Sequence, residues 1–158
     1  MAEKPRKRKS DKGVKETDIK KLIHLLNHIE RGIDLLYYLL DNRRQNAFVV
    51  ALLSASEIDL DAHIRYEKRD TDVLFEIDQS KNLYAILCQG TEVDGGYYFM
   101  QRLIKTIKET GGKEVYCSEI EVTNTDHPIQ EIAFRLLNMY QRVKAKKADG
   151  EISFHTLR

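Results

Sequence analysis

The sequence has little of what marks a disulfide-stapled, membrane-spanning or strongly charged protein. Its 158 residues include two cysteines, Cys88 and Cys117, in apolar runs without the spacing of a zinc site or a redox pair. We therefore expect small core residues in a reducing compartment and a cytoplasmic protein. Basic and acidic residues nearly cancel, at 26 against 25, so no global field indicates nucleic acid or membrane. No apolar run is long enough to span a bilayer. The basic start is also not followed by the apolar block of a signal peptide.

Motifs for nucleophilic catalysis and metal binding are also missing. Ser54, Ser56 and Ser118 have no base and orienting residue at motif spacing. His24 and His28 stand four residues apart, a spacing that can chelate a metal on a helix, but no third ligand is near them in sequence. A solvated helix surface explains the histidine pair more simply, so we expect no metal site and no cofactor.

The amino-terminal residues 1–15 contain seven basic residues and almost no apolar ones. Such a composition predicts a disordered tail. The tail has the charge to touch nucleic acid, anionic lipid or an acidic partner, although a solvated segment without a fixed partner is the simpler interpretation.

Residues 16–44 carry the clearest periodicity in the chain. Apolar side chains recur at alternating steps of three and four, the spacing of a coiled-coil seam. They are Ile19, Leu22, Leu26, Ile29, Ile33, Leu36 and Leu40. Further apolar residues widen this surface, so the helix needs a partner, either a second copy of itself or the following domain. We expect a helical stalk that forms a homodimer through residues 19–40.

Residues 45–158 predict one α+β domain. The run 48–53 is continuous and apolar, and its periodicity does not separate a strand from a helix; we interpret it as a strand. The later elements are strands at 72–78 and 83–88, a helix opening at 91–96 and ending at Gly111, a strand at 115–122, a helix at 128–143 and a strand at 152–156. This order predicts a sheet with helices on one face.

An Arg-x-x-Asp tetrad, Arg69 to Asp72, precedes the predicted hairpin. The same tetrad occurs at Arg31 and Asp34, where it is more simply a local helix ion pair, so the motif gains weight only from its context. Farther along, Asp94-Gly95-Gly96 opens a helix and could admit a phosphate to backbone amides. A capped helix whose glycines ease the packing of Tyr97 and Tyr98 is the favoured alternative.

Placed in order, these pieces resemble the GGDEF domain of diguanylate cyclases in a degenerate form, with a ferredoxin-like sheet. Leu40–Arg44 is similar to the end of the family's helical lead-in. Five residues separate Asp72 from Asp78–Asn82, which stands where the family has its Gly-Gly-Asp-Glu-Phe turn. Gln89–Thr91 and Asn138–Lys144 resemble later family segments. The match covers residues 40 to 156 by pattern.

The resemblance implies that catalysis is lost. Cyclases hold two metal ions with carboxylates on the first strand and in the signature turn, and those places here offer Ser54 to Ser56 and Ser80 to Lys81. A lysine repels a cation instead of binding it. The segment between Arg44 and Arg69 is also much shorter than in such domains. We expect no enzyme activity.

The tetrad is the family's inhibitory site for cyclic di-GMP, and inactive relatives use it as a receptor site. An arginine fork can donate to guanine O6 and N7, and a carboxylate can accept from guanine N1 and N2. The resemblance assigns these roles to Arg69 and Asp72, and its spacing from Thr91 adds Arg102. The expected function is a cyclic di-GMP receptor that regulates an effector protein. The alternative is a ligand-free dimeric scaffold that recruits a protein, or nucleic acid through its basic tail.

Overall fold

The computed structural model describes residues 16–158. This range contains four α-helices and five β-strands, which confirms the predicted α+β class. They are α1 Glu16–Asp41, β1 Phe48–Ser56, α2 Leu60–Glu67, β2 Val73–Asp78, β3 Leu83–Cys88, α3 Val93–Glu109, β4 Lys113–Val122, α4 Ile129–Ala145 and β5 Ile152–Leu157. The ambiguous run at 48–53 is a strand. The predicted tail, 1–15, lies outside the described residues.

The strands form one mixed sheet in the order β2-β3-β1-β4-β5. β1 pairs with β3 and β4 in antiparallel fashion, and β4 pairs with β5 in parallel. A parallel neighbour needs a crossover connection, and α4 supplies it between β4 and β5. A short 3-10 turn, Gln79–Lys81, and the left-handed Asn82 connect β2 to β3.

Helices cover both faces of this sheet, so the prediction of helices on one face was wrong. One core cluster joins α1 and α4 to the sheet, and a second joins α2 and α3 to its other face. The reason is visible in β1, where residues 48–55 are all buried. A strand buried on both sides carries a continuous apolar run and needs a helix layer on each face.

The first helix is part of the domain and not a separate stalk. Leu25, Ile29, Ile33 and Leu36 of α1 are buried in the core cluster shared with α4. The apolar periodicity of α1 therefore belongs to a helix that packs on its own sheet. The following domain was the second of the two partners that the sequence allowed. The homodimer through 19–40 stays a prediction, and it has to use the side chains that α1 leaves exposed.

The short helix α2 was not predicted. It occupies the connection between β1 and the tetrad and buries only Leu60 and Ile64, too few positions to show a period. Asp59 caps its start, with Oδ1 accepting from the backbone N–H of Ala62 at 3.2 Å. That capping residue was the available sequence signal.

Cys88 and Cys117 are buried in β3 and β4 as unpaired thiols, which confirms the prediction that they are core residues. Burial raises the pKa of both thiols well above the ordinary value. Among residues 16–158, no helix has the length and apolar character needed to cross a membrane.

Candidate functional site

The tetrad forms a turn between α2 and β2 that is closed by its own side chains. The Asp72 carboxylate accepts from the backbone N–H of Arg69 at 3.0 Å, and the backbone N–H of Asp72 donates to the Arg69 carbonyl, also at 3.0 Å. The Arg69 guanidinium completes the turn, with Nη2 2.8 Å from Oδ1 and Nε 3.2 Å from both oxygens. This bidentate geometry is the strong form of an arginine–carboxylate pair.

The two partners differ sharply in exposure. The Asp72 side chain is 1% exposed, whereas that of Arg69 is 54% exposed. The carboxylate therefore lies behind the guanidinium and holds it, and the guanidinium faces solvent. The hydrogen bond to Asp72 raises the pKa of Arg69 further above its usual value, so the arginine is charged at any physiological pH.

Arg69 also fastens the tetrad to the loop between β3 and α3. Its Nη2 donates to the Gln89 carbonyl at 2.9 Å and contacts the Thr91 hydroxyl at 2.6 Å. Gln89 adds a second link between the loop and the tetrad, because its Nε2 donates to the Thr71 carbonyl at 2.9 Å. Two turns that are distant in sequence are thus held together by the Arg69 guanidinium and the Gln89 amide.

The first turns of α3 form the opposite wall of a cavity. Gly95, Tyr98, Phe99 and Arg102 line it, at the spacing of one helix face. Tyr98 is 66% exposed, and the Arg102 guanidinium carbon lies 5.6 Å from the centre of the Phe99 ring. The wall therefore offers aromatic surface and a cation side by side, a pairing that suits a flat, polar ring system.

This cavity brings together all three residues that the sequence singled out, Arg69, Asp72 and Arg102. Its volume is about 330 Å³, at the lower end of the range for small-molecule sites. The structure differs from expectation at Asp72, whose oxygens are occupied by Arg69. Sequence reasoning missed Glu92 in the lining and the aromatic pair on α3. The helical spacing of that pair with Arg102 was the signal available.

The glycine pair that opens α3 has two separate roles. Gly95 lines the cavity, whereas Gly96 packs on the sheet, where a Cβ would lie 3.0 Å from a Val49 methyl and 3.1 Å from Glu119 Oε2. Gly96 therefore serves close packing, but against Val49 and Glu119 and not against the two tyrosines, and the N-cap residue Glu92 makes no side-chain capping hydrogen bond.

Glu119 is a buried carboxylate beside this wall. It is 1% exposed, and neither oxygen has a hydrogen-bond partner within the described part of the chain. Burial, with a smaller contribution from nearby Glu121, raises the pKa of Glu119 to about 8. The side chain is therefore mostly protonated at neutral pH, which avoids an unpaired charge beneath α3.

The sequence resemblance predicts a lost metal site where the end of β1 meets the hairpin turn. The end of β1 does lie against the hairpin turn, since Ser54 pairs with Leu83 and Asn82 Nδ2 donates to the Ala55 carbonyl at 2.7 Å. Ser54 is buried, with Oγ 2.6 Å from the Tyr140 hydroxyl. Asp78, the last residue of β2, accepts from the Ser80 hydroxyl at 2.7 Å, and this hydrogen bond lowers the pKa of Asp78.

The histidine pair lies at a second cavity, between α1 and the hairpin turn. His24 and His28 line it together with Glu76, Asp78 and Lys81. His28 Nδ1 is 2.6 Å from the backbone carbonyl of His24. Within residues 16–158, no group of three or more histidine, cysteine or carboxylate side chains is placed to hold a metal ion.

Comparison with solved structures shows what this architecture is. The active GGEEF domain of a diguanylate cyclase from Vibrio cholerae matches with a TM-score of 0.62 and 12% identity, covering 78% of this chain and 92% of that one. The chain has the fold of a GGDEF domain. The FimX GGDEF domain from Pseudomonas aeruginosa also matches, with a TM-score of 0.57 and 11% identity, over 83% of this chain and 92% of that one.

A third structural neighbour is a microbial GGDEF domain described for its interaction with cyclic di-GMP. It matches with a TM-score of 0.50 and 9% identity, covering 78% of this chain and 91% of that one. No protein-family profile and no curated protein sequence matches the chain. At these identities the likeness establishes the GGDEF fold alone.

Proposed function

We propose that this protein is a catalytically inactive GGDEF-fold receptor for cyclic di-GMP, which it binds through Arg69, Asp72 and Arg102. One observation carries the proposal: two arginines from distant parts of the chain and the aromatic side chains of α3 line the same cavity. The solved neighbours include a GGDEF domain described with cyclic di-GMP. The two free, buried cysteines fit a cytoplasmic receptor.

The cavity walls supply the contacts that a guanine base and a phosphate need. Arg69 and Arg102 donate to guanine O6 and N7 or to phosphate oxygens, and Tyr98 or Phe99 offers a ring for stacking. Asp72 acts by holding the Arg69 fork in position. Glu92 and Asp94 are exposed lining residues, and they are the carboxylates available to accept from guanine N1 and N2.

Loss of catalysis is supported by the chemistry at the end of β1 and in the hairpin turn. Two-metal phosphoryl transfer needs carboxylate ligands around both ions. Ser54 is instead buried against Tyr140, and Lys81 places an ammonium group beside Asp78. We expect no turnover when GTP and Mg²⁺ are supplied. Accumulation of cyclic di-GMP with a purified preparation would refute this part of the proposal.

Isothermal titration with cyclic di-GMP tests binding. Arg102→Ala is the sharpest variant, because Arg102 is exposed and its loss leaves the tetrad intact. Its matched control is Lys105→Ala, which removes an exposed cation from the same helix outside the cavity. We expect heat of binding for the wild type and the control, and a loss of at least about tenfold in affinity for Arg102→Ala. No heat with wild type at high micromolar ligand would overturn the proposal.

The second candidate, a ligand-free scaffold, is favoured by the internal contacts of Arg69. The same fork that would bind guanine already contacts Asp72, Gln89 and Thr91. In a scaffold these contacts are purely structural, and partner recruitment rests on the α1 homodimer, the sheet domain or the basic tail. The scaffold predicts a stability loss in Arg69→Ala together with no dinucleotide binding in the wild type. The receptor predicts both a stability loss and binding.

A further inference from the structure

The sheet edge formed by β5 lies opposite the edge strand β2, which follows the tetrad. β5 ends the strand order, and within residues 16–158 no strand pairs with its outer side. Natural sheets protect such edges with charged residues, proline or a covering element. The strand β5 has the sequence Ile-Ser-Phe-His-Thr-Leu, with no lysine, arginine, acidic residue or proline. The opposite edge strand, β2, carries Glu76 and Asp78 and packs beside α1.

Exposed aromatic side chains flank this open edge. Phe134 of α4 and Phe154 of β5 are 54% and 56% exposed, and both line a cavity of about 380 Å³ between the helix and the strand. The Phe154 ring lies on the α3 face of the sheet, where it meets the Tyr97 ring edge-on with centroids 5.6 Å apart. Met139 adds a flexible apolar side chain to the same cavity.

The charged side chains of the cavity lining are two arginines and one glutamate. Arg135 and Arg142 line it with His155, against the single carboxylate of Glu131. Glu131 Oε1 is 3.6 Å from Arg135 Nη2, and Arg135 Nη1 is 3.2 Å from His155 Nε2. Arg142 is exposed and adds a second cation. An occupant with carboxylates complements this lining.

We propose that the groove between α4 and β5 binds an extended, acidic segment of a partner protein, which adds to the sheet beside β5. Main-chain hydrogen bonds to the open edge supply affinity. Carboxylates on alternate residues of the segment reach Arg135 and Arg142 on the α4 face of the sheet. The apolar residues between them point to the other face, where Phe154 packs beside Tyr97. This surface is distinct from the dinucleotide site, because none of the residues that line the groove lines that cavity.

Fluorescence anisotropy with labelled seven-residue peptides tests the proposal on the full chain. The probe alternates glutamate with valine and has a central phenylalanine. One comparison peptide replaces each glutamate by lysine, and a second replaces the valines by proline, which removes the strand hydrogen bonds. We expect the acidic peptide to bind and both comparison peptides to fail. Bound peptide should slow hydrogen exchange at the backbone amides of β5.

The double variant Arg135→Gln/Arg142→Gln should weaken the acidic peptide by about tenfold. Its control, Arg65→Gln/Lys105→Gln, removes two exposed cations outside the groove and should bind like the wild type. Equal binding of acidic and basic peptides, unchanged exchange in β5, or no binding at millimolar acidic peptide each overturns the proposal. Self-association through β5 in the absence of peptide would also overturn it, in favour of a second copy as the occupant.

Discussion

Gly96 of α3 lies directly over the carboxylate of Glu119, so closely that a Cβ at position 96 would stand 3.1 Å from Oε2. The same atom would meet two Val49 methyls at 3.0 and 3.1 Å. A buried strand and a buried carboxylate together set how near α3 approaches the sheet. Since the next residue back, Gly95, lines the dinucleotide cavity, this packing also positions the cavity wall.

Alanine substitutions at the two neighbouring glycines should therefore have different effects on stability. At Gly95 the new Cβ meets only a Thr91 methyl at 3.5 Å, an ordinary contact, so Gly95→Ala should gain part of the 0.5 to 1 kcal/mol, roughly, that alanine offers in a helix. Gly96→Ala has the same propensity gain but must displace Val49 or Glu119. We expect it to be less stable than Gly95→Ala by about 1 kcal/mol or more in urea denaturation. Equal stability of the two variants would show that α3 is not seated on Glu119.

Glu119 should make the stability of the fold depend on pH. Its ordinary pKa is 4.5, and in the folded protein the pKa is raised to about 8. Between these values the unfolded chain has lost the proton and the folded chain keeps it, so stability falls as pH rises through this window. Within the window, the free energy of unfolding should fall by up to about 1.4 kcal/mol per pH unit. Below pH 4.5 and above pH 8 this residue adds no further change.

The measurement is urea denaturation of wild type and Glu119→Gln at pH 5, 6, 7 and 8. Glutamine does not titrate, so we expect the stability difference between the two proteins to shift steadily in favour of the variant as pH rises. Glu151→Gln is the matched control, because Glu151 is exposed. Parallel stability curves for wild type and Glu119→Gln would mean that the carboxylate finds a partner in solution.

The pair Arg69 and Asp72 should be strongly coupled in a double-mutant cycle. Arg69→Ala leaves a carboxylate with a 1% exposed side chain facing an apolar methyl group, and we expect a loss of about 1 to 3 kcal/mol. Because the Arg69 guanidinium is half exposed, this loss of stability should be smaller than for a fully buried ion pair. Asp72→Ala should also destabilise the fold, because Asp72 then no longer holds Arg69 in position to donate to the Gln89 carbonyl. The double variant should cost less than the sum of the single variants, as judged from denaturation midpoints.

Arg69→Lys separates charge from geometry in the same pair. Lysine keeps the positive charge but has no planar fork to reach Asp72, Gln89 and Thr91 together. We expect stability closer to Arg69→Ala than to the wild type. Full retention of stability by lysine would show that a simple charge pair holds the two turns.

Local patterns predicted single elements better than they predicted how the layers assemble. The hairpin, α3 and β5 follow from alternation, turn residues and glycines that act within a few residues. The helix layer on the second face depends on burial of β1 from both sides, and an apolar run alone leaves strand and helix unresolved. The period of α1 identified the helix correctly but not its partner, because a seam looks the same whether it packs on a copy or on its own sheet.

The residues of the candidate site were likewise predicted better than their three-dimensional arrangement. Arg69, Asp72 and Arg102 were identified from spacing and resemblance, and the structure places all three in one cavity. The burial of Asp72 behind the guanidinium was not foreseeable, because it depends on how α2, β2 and the loop at Gln89 meet in three dimensions. The same holds for Glu119, which on sequence is one of two glutamates in an alternating strand.

The predicted homodimer through residues 19–40 now has a defined test. The buried part of the α1 seam, Ile29, Ile33 and Leu36, is committed to the core. A dimer therefore has to use the apolar side chains that α1 exposes, Ile19, Ile23, Leu35 and Tyr38. Leu35→Glu combined with Tyr38→Glu should convert a dimer into a folded monomer, because burial of two unpaired carboxylates opposes association. Tyr66→Glu, at an 88% exposed residue of α2, is the control and should leave the assembly unchanged. Sedimentation equilibrium measures the mass directly, and a monomeric wild type at high micromolar concentration would exclude this dimer.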